Sequence, residues 1–405
     1  MKKVLVFEKR KKARELRKKG WSLRKIANAL VASKGNVLKW INMAEKEVLI
    51  DNRGWQKGKL RKHNDIERER IIAIRKQLEK EGSYFIGELV VQKNYENLYG
   101  EKLERWFVNK VLREGGLSKK RIIKKKGKSK YMKYPMYTLN RLGKILMSID
   151  FIGPKYLKGG RTMINFLSCK YIRPKKIGVM ERIEGQTTNE VIKVLSKLWT
   201  TYPMPDVLKV DNDTAFGANH LHKNSIGRLT IFLLNLGISP LYVAPRSPWN
   251  NGEVEGFNSV FSKKFWNKLR FENEEEIDIE IRNFNLEYEK YSNLIANNPE
   301  TTQPRYIKDY NDIDLKNKQV NKFRQTKIYF LRIVRRKGEK EKEDERGFID
   351  IVGEEISLGK DLINLFTFSI IDINEGTISI NIEEESGKLQ EIKRKNFQIN
   401  NIIRD

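Results

Sequence analysis

Apolar residues recur every three or four positions through the first part of the chain, at Ala13, Leu16, Leu23, Ile26, Ala27 and Leu30. That period predicts helices with one buried stripe. Gly20 separates a first helix from a second. Ser22 and Ser33 stand where the second and third helices would need caps. On the third helix Val37, Trp40 and Ile41 would face inward, leaving Lys34, Asn36 and Lys39 outward. Residues 1–50 therefore predict a helix-turn-helix domain, and the polar, basic stretch that follows to residue 63 reads as a linker. Residues 64–118 repeat the pattern. A helix is expected over 65–80 (Ile71, Ile72, Ile74, Leu78), a second near Ile86–Val91, and a third near Leu103–Leu112 with Trp106, Phe107, Val108, Val111 and Leu112 apolar. Gly115-Gly116 stops it. This predicts a second helix-turn-helix unit, plain or winged, with a protein-interaction bundle as the alternative.

The period changes beyond residue 140. Short apolar runs near 145–152, 163–169, 176–181, 206–211 and 239–244 alternate with helical patterns near 187–201, 226–236 and 252–269. Such alternation predicts an α/β layer domain over residues 141–270. A helical extension follows at 271–312, acidic at its start (Glu272, Glu274, Glu275, Glu276), which suits a cap or a protein contact better than a DNA face. Residues 322–405 read as short strands near 327–334, 347–352, 365–371, 377–382 and 389–393. Gly353, Gly359, Asn374-Glu375-Gly376 and Gly387 separate them, as in a small β-barrel.

Charge narrows the class of partner. The chain has 405 residues, 81 Lys+Arg against 52 Asp+Glu, and a net charge of +29. A polyanion is the expected partner, and nucleic acid leads because neutralising phosphates releases counterions. A membrane surface is the alternative. No apolar stretch approaches the ~20 residues that span a bilayer, and the first residues lack a signal-type apolar run; a cytoplasmic protein is expected. Residues 119–140 form a basic linker. Within it, 119–133 hold nine cations, Lys124, Lys125 and Lys126 among them, and no acid. A block of like charge stays extended, suited to tracking a phosphate backbone. One cysteine, Cys169, and three histidines exclude an intrachain disulfide framework and a Cys/His zinc site.

Three acids carry the candidate chemistry. Asp150 ends the run Ile145-Leu146-Met147-Ser148-Ile149, and Asp211 ends Val207-Leu208-Lys209-Val210. Glu255 closes Ser247-Pro248-Trp249-Asn250-Asn251-Gly252-Glu253-Val254 at a loop-to-helix transition. Two carboxylates at strand ends and a third on a nearby helix can converge, and convergence without cations would be repulsive. Mg²⁺ prefers such oxygen ligands, and a pair of metals there would clamp the attacking and leaving oxygens of a phosphoryl transfer. Asp213 competes with Asp211 for the second position. Glu253 competes with Glu255 for the third, and on a helix those two face different ways.

In these settings the chain resembles DNA transposases and integrases of the retroviral-integrase superfamily, bacterial insertion-sequence DDE transposases most of all. Residues 247–255 fit that family's Ser-Pro-x-x-Asn-Gly-x-x-Glu pattern at every fixed position. Asp213 stands where the family often has Gly, and 43 residues separate Asp211 from Glu255, more than in the shortest members. The resemblance implies an RNase H-like core at 141–270, flanked by the N-terminal helix-turn-helix domains and a C-terminal SH3-like barrel. It implies two Mg²⁺ (or Mn²⁺) ions held by Asp150, Asp211 and Glu255, with Asp150 bridging them. It implies 3′-end cleavage of transposon ends, then strand transfer into target DNA. Double-stranded DNA (terminal repeats and target) is the implied partner, at least a dimer the implied assembly, and the bacterial cytosol or nucleoid the implied location. Lys263, two turns beyond Glu255, is a candidate phosphate contact or a solvated surface lysine. A DNA-binding regulator with an inactive core and an RNase H-like nuclease are the competing readings.

Overall fold

The computed structural model describes residues 2–44, 63–119, 134–157, 159–216, 223–245, 247–295, 303–308, 323–338, 345–399 and 401–402. The chain divides into two compact units, Met1–Glu69 and Arg70–Asp405.

The first unit holds α1 (Lys2–Lys18), α2 (Leu23–Ala29) and α3 (Lys34–Asn42). Gly20 takes a left-handed φ of 80° at the first turn, a conformation that costs glycine little. Both serines cap as expected: Ser22 Oγ accepts from the Lys25 N–H at 3.3 Å, and Ser33 Oγ from the Asn36 N–H at 3.2 Å. Ala13, Ile26, Ala27 and Val37 form the small core, with Trp40 and Ile41 packed on it.

The division falls within α4 (Asp65–Lys80), and the second unit continues with α5 (Glu88–Tyr99) and α6 (Arg105–Glu114). Helix α5 runs eight residues past the expected end at Val91, to Gly100 at φ 72°. Its later turns are anchored by Tyr95 alone among apolar residues that are fully buried, which hides the period. Trp106, counted with the apolar face of the third helix, is 60% exposed. Tyr84 and Phe85, between α4 and α5, insert into an aromatic cluster with helices later in the chain.

A short α7 (Met136–Arg141) precedes β1 (Leu146–Tyr156), β2 (Met163–Arg173) and β3 (Gly178–Ile183). Then come α8 (Thr188–Thr201), β4 (Val207–Val210), the two-residue β5 (Ser225–Ile226), α9 (Arg228–Asn235), β6 (Ser239–Tyr242), α10 (Gly252–Phe261) and α11 (Glu274–Ile295). The three antiparallel strands β3-β2-β1 continue into the parallel strands β4 and β6. Strand β2 shows why this sheet is covered on both faces. Leu167, Cys169 and Tyr171 join the cluster that holds α8 and α9, whereas Ile164 and Phe166 join the cluster of α10 and α11. That is the period-two alternation of a sandwiched strand. The acidic start of α11 is spent within the protein. Asn273 Oδ1 accepts from the Glu276 N–H, Arg182 pairs with Glu274 and Asp278, and Glu287 accepts from the Tyr84 N–H at 2.8 Å.

The last region departs from expectation. Strands β7 (Lys327–Ile333), β9 (Arg346–Ile351), β11 (Phe366–Asp372), β12 (Thr377–Glu383) and β13 (Leu389–Asn396) lie close to the expected runs, β8 (Arg335–Lys337) and β10 (Glu354–Leu358) were not expected, and β14 (Asn401–Ile402) pairs with β5. Among the described residues, however, their hydrogen bonding does not close into a barrel. Strand β7 pairs in parallel with β6, Leu241 opposite Tyr329 and Tyr242 opposite Phe330. One nine-stranded sheet results, β13-β12-β11-β7-β6-β4-β1-β2-β3, with β8, β9 and β10 in a separate three-stranded sheet. The aromatic stack of Tyr242 on Phe330, 5.2 Å between centroids, seals the junction.

Candidate active site

The register of β1 and β4 places two of the acids. Ser148 is the last β1 residue paired with β4, opposite Lys209, and the strands then part. Asp150 and Asp211 each lie two residues further on, so they leave the diverging strands on one face, side by side. That is the face of α10. Ser148 Oγ donates to Asn251 Oδ1 at 3.3 Å, and the buried Lys209 ammonium donates to the Asn250 carbonyl, tying the start of α10 over the strand ends. The first turn of α10 then brings Glu255 to the rim. A cleft of about 510 Å³ is lined by Asp150, Asp211, Asn212, Asp213, Val243, Ala244, Pro245, Ser247, Asn251 and Glu255.

The two competing acids are separated by the same geometry. Asp213 also lines the cleft, but its carboxylate accepts from the Ala215 N–H at 2.9 Å and starts the short turn Thr214–Phe216. Asp211 in turn accepts from the Asp213 N–H at 2.9 Å. Glu253 does not line the cleft, whereas Glu255 does. Lys263 is absent from the lining, and the helix changes to a π-helical turn at Ser262–Trp266 where a straight run was expected over 252–269. Lys263 is exposed, as are Lys34, Asn36 and Lys39 of the first unit. Lys124, Lys125 and Lys126 lie outside the described residues.

Electrostatics distinguish the acids. Burial, and then the charge of Asp211, push the Asp150 carboxyl up to about 7, with Glu255 adding to the rise. The Phe151 N–H and the Asn258 side chain hold it down, the latter through an Nδ2 bond of 2.8 Å to Asp150 Oδ2. Burial also raises Asp211, against the Asp213 N–H that accompanies it. Sequence reasoning missed Asn258, although its position three residues after Glu255 puts it on the same helix face.

The donor set suits a hard cation. Burial and mutual repulsion raise the Asp150 carboxyl, and among the described residues the buried oxygens Asn212 Oδ1 and Asn258 Oδ1 have no hydrogen-bond partner. Oxygen donors of this kind are what Mg²⁺ and Mn²⁺ take. Among the described residues no three His, Cys, Asp or Glu side chains are drawn together tightly enough to form a ready metal-binding group. The acids line one cleft without closing on its centre. A larger groove, about 670 Å³, runs along α11, but Glu280 and Glu287 in it are already engaged by Tyr84.

No protein-family model matches the chain, and no curated protein matches its sequence. Solved structures do align. The catalytic core domain of BIV integrase is 15% identical, over 40% of this chain and 88% of its own, with a TM-score of 0.26. A chain of the simian T-cell lymphotropic virus intasome in complex with the PP2A regulatory subunit B56 gamma is 12% identical, over 80% and 98%, with a TM-score of 0.32. The mariner Mos1 paired end complex with Mg is 12% identical, over 70% and 93%, with a TM-score of 0.19. At such scores the likeness is one of partial outline and carries no argument about activity. No helix among the described residues is long and apolar enough to cross a membrane.

Proposed function

We propose that this chain is a DNA-cutting and DNA-joining enzyme of the transposase and integrase kind, with Asp150, Asp211 and Glu255 as its catalytic, metal-holding acids. One observation carries the reading. Side chains 61 and 44 positions apart in sequence line a single cleft, and the central one, Asp150, is raised to about 7 by burial beside the others. Carboxylates left buried without a neutralising partner reduce stability, so their gathering favours a functional explanation.

Asp150, Asp211 and Glu255 are the residues that would hold Mg²⁺ or Mn²⁺, and they would have to close on the cleft's centre to do so, since the described acids are not drawn into a metal-binding group. When bound, such ions supply a water-derived nucleophile near neutral pH and offset charge on the reacting phosphate. The protein's share is positioning. Asn258 fixes the Asp150 carboxylate by its 2.8 Å bond, the Asp213 N–H fixes Asp211, and the tether from Lys209 to the Asn250 carbonyl holds the start of α10 under Glu255. Such positioning is what an in-line displacement at a phosphodiester would need. The exposed Lys34, Asn36 and Lys39 on α3 are assigned to the DNA ends, the basic segment with Lys124–Lys126 to the backbone between, and Lys263 to flanking phosphate. Holding two ends at once calls for at least a dimer.

The test is nicking of supercoiled plasmid by the full chain in Mg²⁺ or Mn²⁺. Cleavage by the wild type, and its loss in Asp150→Asn with DNA binding retained, is the expected result. DNA binding without cleavage by the wild type in either metal would leave the regulator reading and remove this one.

A further inference from the structure

Arg332 is 4% exposed in the body of β7, far along the chain from the three acids. A guanidinium there has lost its water and needs its donors satisfied. Nε donates to the Asp350 carbonyl at 2.7 Å, tying β7 to β9. Nη1 donates to the Leu331 carbonyl at 2.8 Å and to the Val243 carbonyl at 3.1 Å. Its ring of contacts includes the face of Phe330, 5.0 Å away.

Val243 is the notable partner. It follows β6 and lines the catalytic cleft. Its carbonyl also accepts from Asn212 Nδ2 at 2.5 Å, and its N–H donates to the Val210 carbonyl at 3.1 Å. Val210 and Asn212 flank Asp211. One carbonyl thus joins the strand end that carries Asp211, the segment that leads through Ala244 and Pro245 towards α10 and Glu255, and a buried cation from the C-terminal strands. A packed apolar side chain would fill the space at less electrostatic cost than a buried guanidinium. The hydrogen bond to the cleft wall is what an apolar side chain would not supply.

We propose that Arg332 is a positioning residue for the cleft, fixing through the Val243 carbonyl the Asn212 turn beside Asp211 and the segment leading to Glu255. The C-terminal strands are on this account part of the cutting site, and a core ending near residue 270 lacks its support. The inference rests on the phosphoryl-transfer reading above.

The experiment is a double-mutant cycle in the full chain, with Arg332→Met, Asn212→Ala and the pair, measured by plasmid nicking at saturating DNA. Arg332→Met lowers the cleavage rate constant by about 10-fold or more, raises the Mn²⁺ concentration for half-maximal rate, and leaves the Kd for DNA unchanged. Asn212→Ala costs much less in the Arg332→Met background than alone, because the two act through one carbonyl. Arg332→Lys, which keeps a donor on a similar stem, recovers part of the rate. Should Arg332→Met fail to fold by circular dichroism, Arg332→Lys takes its place in the cycle. Wild-type rate and Mn²⁺ dependence in the folded variant, or losses that simply multiply, overturn the positioning role while leaving the catalytic reading intact. A wild-type chain that cleaves in neither metal removes both.

Discussion

Replacing Asp150 by Asn should make the metal-free protein more stable, and by an amount that depends on pH. The carboxyl is raised from an ordinary 3.8 to about 7, chiefly by burial and by Asp211. The folded state therefore binds this proton more tightly than the unfolded chain. Stability contributed by the protonated form is fully present below about pH 4 and is lost as pH rises towards 7. At about 1.4 kcal/mol per pH unit, the ionised carboxylate costs the fold up to about 4 kcal/mol above pH 7. Asparagine removes the charge, keeps the shape and can still accept from Asn258. Urea unfolding in EDTA at a series of pH values measures the effect. The Asp150→Asn midpoint should exceed the wild type by a margin that grows from pH 4 and levels off above pH 7, with the slope m unchanged. Mg²⁺ should close the gap by stabilising the wild type only. Equal midpoints at pH 8 in EDTA, or a gap independent of pH, would refute the electrostatic picture of the cleft.

Further outcomes follow from the same geometry. Asp211→Asn and Glu255→Gln should each lower plasmid nicking by at least 100-fold with DNA affinity retained in a filter-binding assay, while Glu253→Gln should stay within a few-fold of wild type. Asn258→Leu removes a bond that holds the Asp150 carboxyl down, so the pH of half-maximal nicking should move upward; an unshifted profile would place Asn258 outside the site. Asn36→Ala should relax preference at one base position by ~1–3 kcal/mol, read by competition binding on terminal-repeat variants, and an unchanged preference would take α3 out of the groove.

The strand ends that carry two acids of the candidate site were legible because each is a local pattern. Asp150 and Asp211 follow short apolar runs that read as strands, and the parallel register found between those strands sets them side by side. The serine caps of α2 and α3 were legible for the same reason, since a cap bonds three residues away. What failed was long-range. Nothing in Lys327–Ile333 announces that its partner is Ser239–Tyr242, because a half-buried strand reads alike beside any neighbour. The barrel expected for the last region overlooked that pairing, and with it Arg332. The helix expected over 252–269 was read as regular, whereas the backbone makes a π turn at Ser262–Trp266. Asn258 had a visible signal in its spacing from Glu255.

The central claim is that Asp150, Asp211 and Glu255 hold divalent metal together at one cleft. Mn²⁺ binding followed by electron paramagnetic resonance at pH 8, with the full chain on DNA, tests it directly. Two bound ions per chain in the wild type, reduced in each of Asp150→Asn, Asp211→Asn and Glu255→Gln, is the predicted result. Binding that survives all three substitutions unchanged, or no specific binding in the wild type, would contradict it.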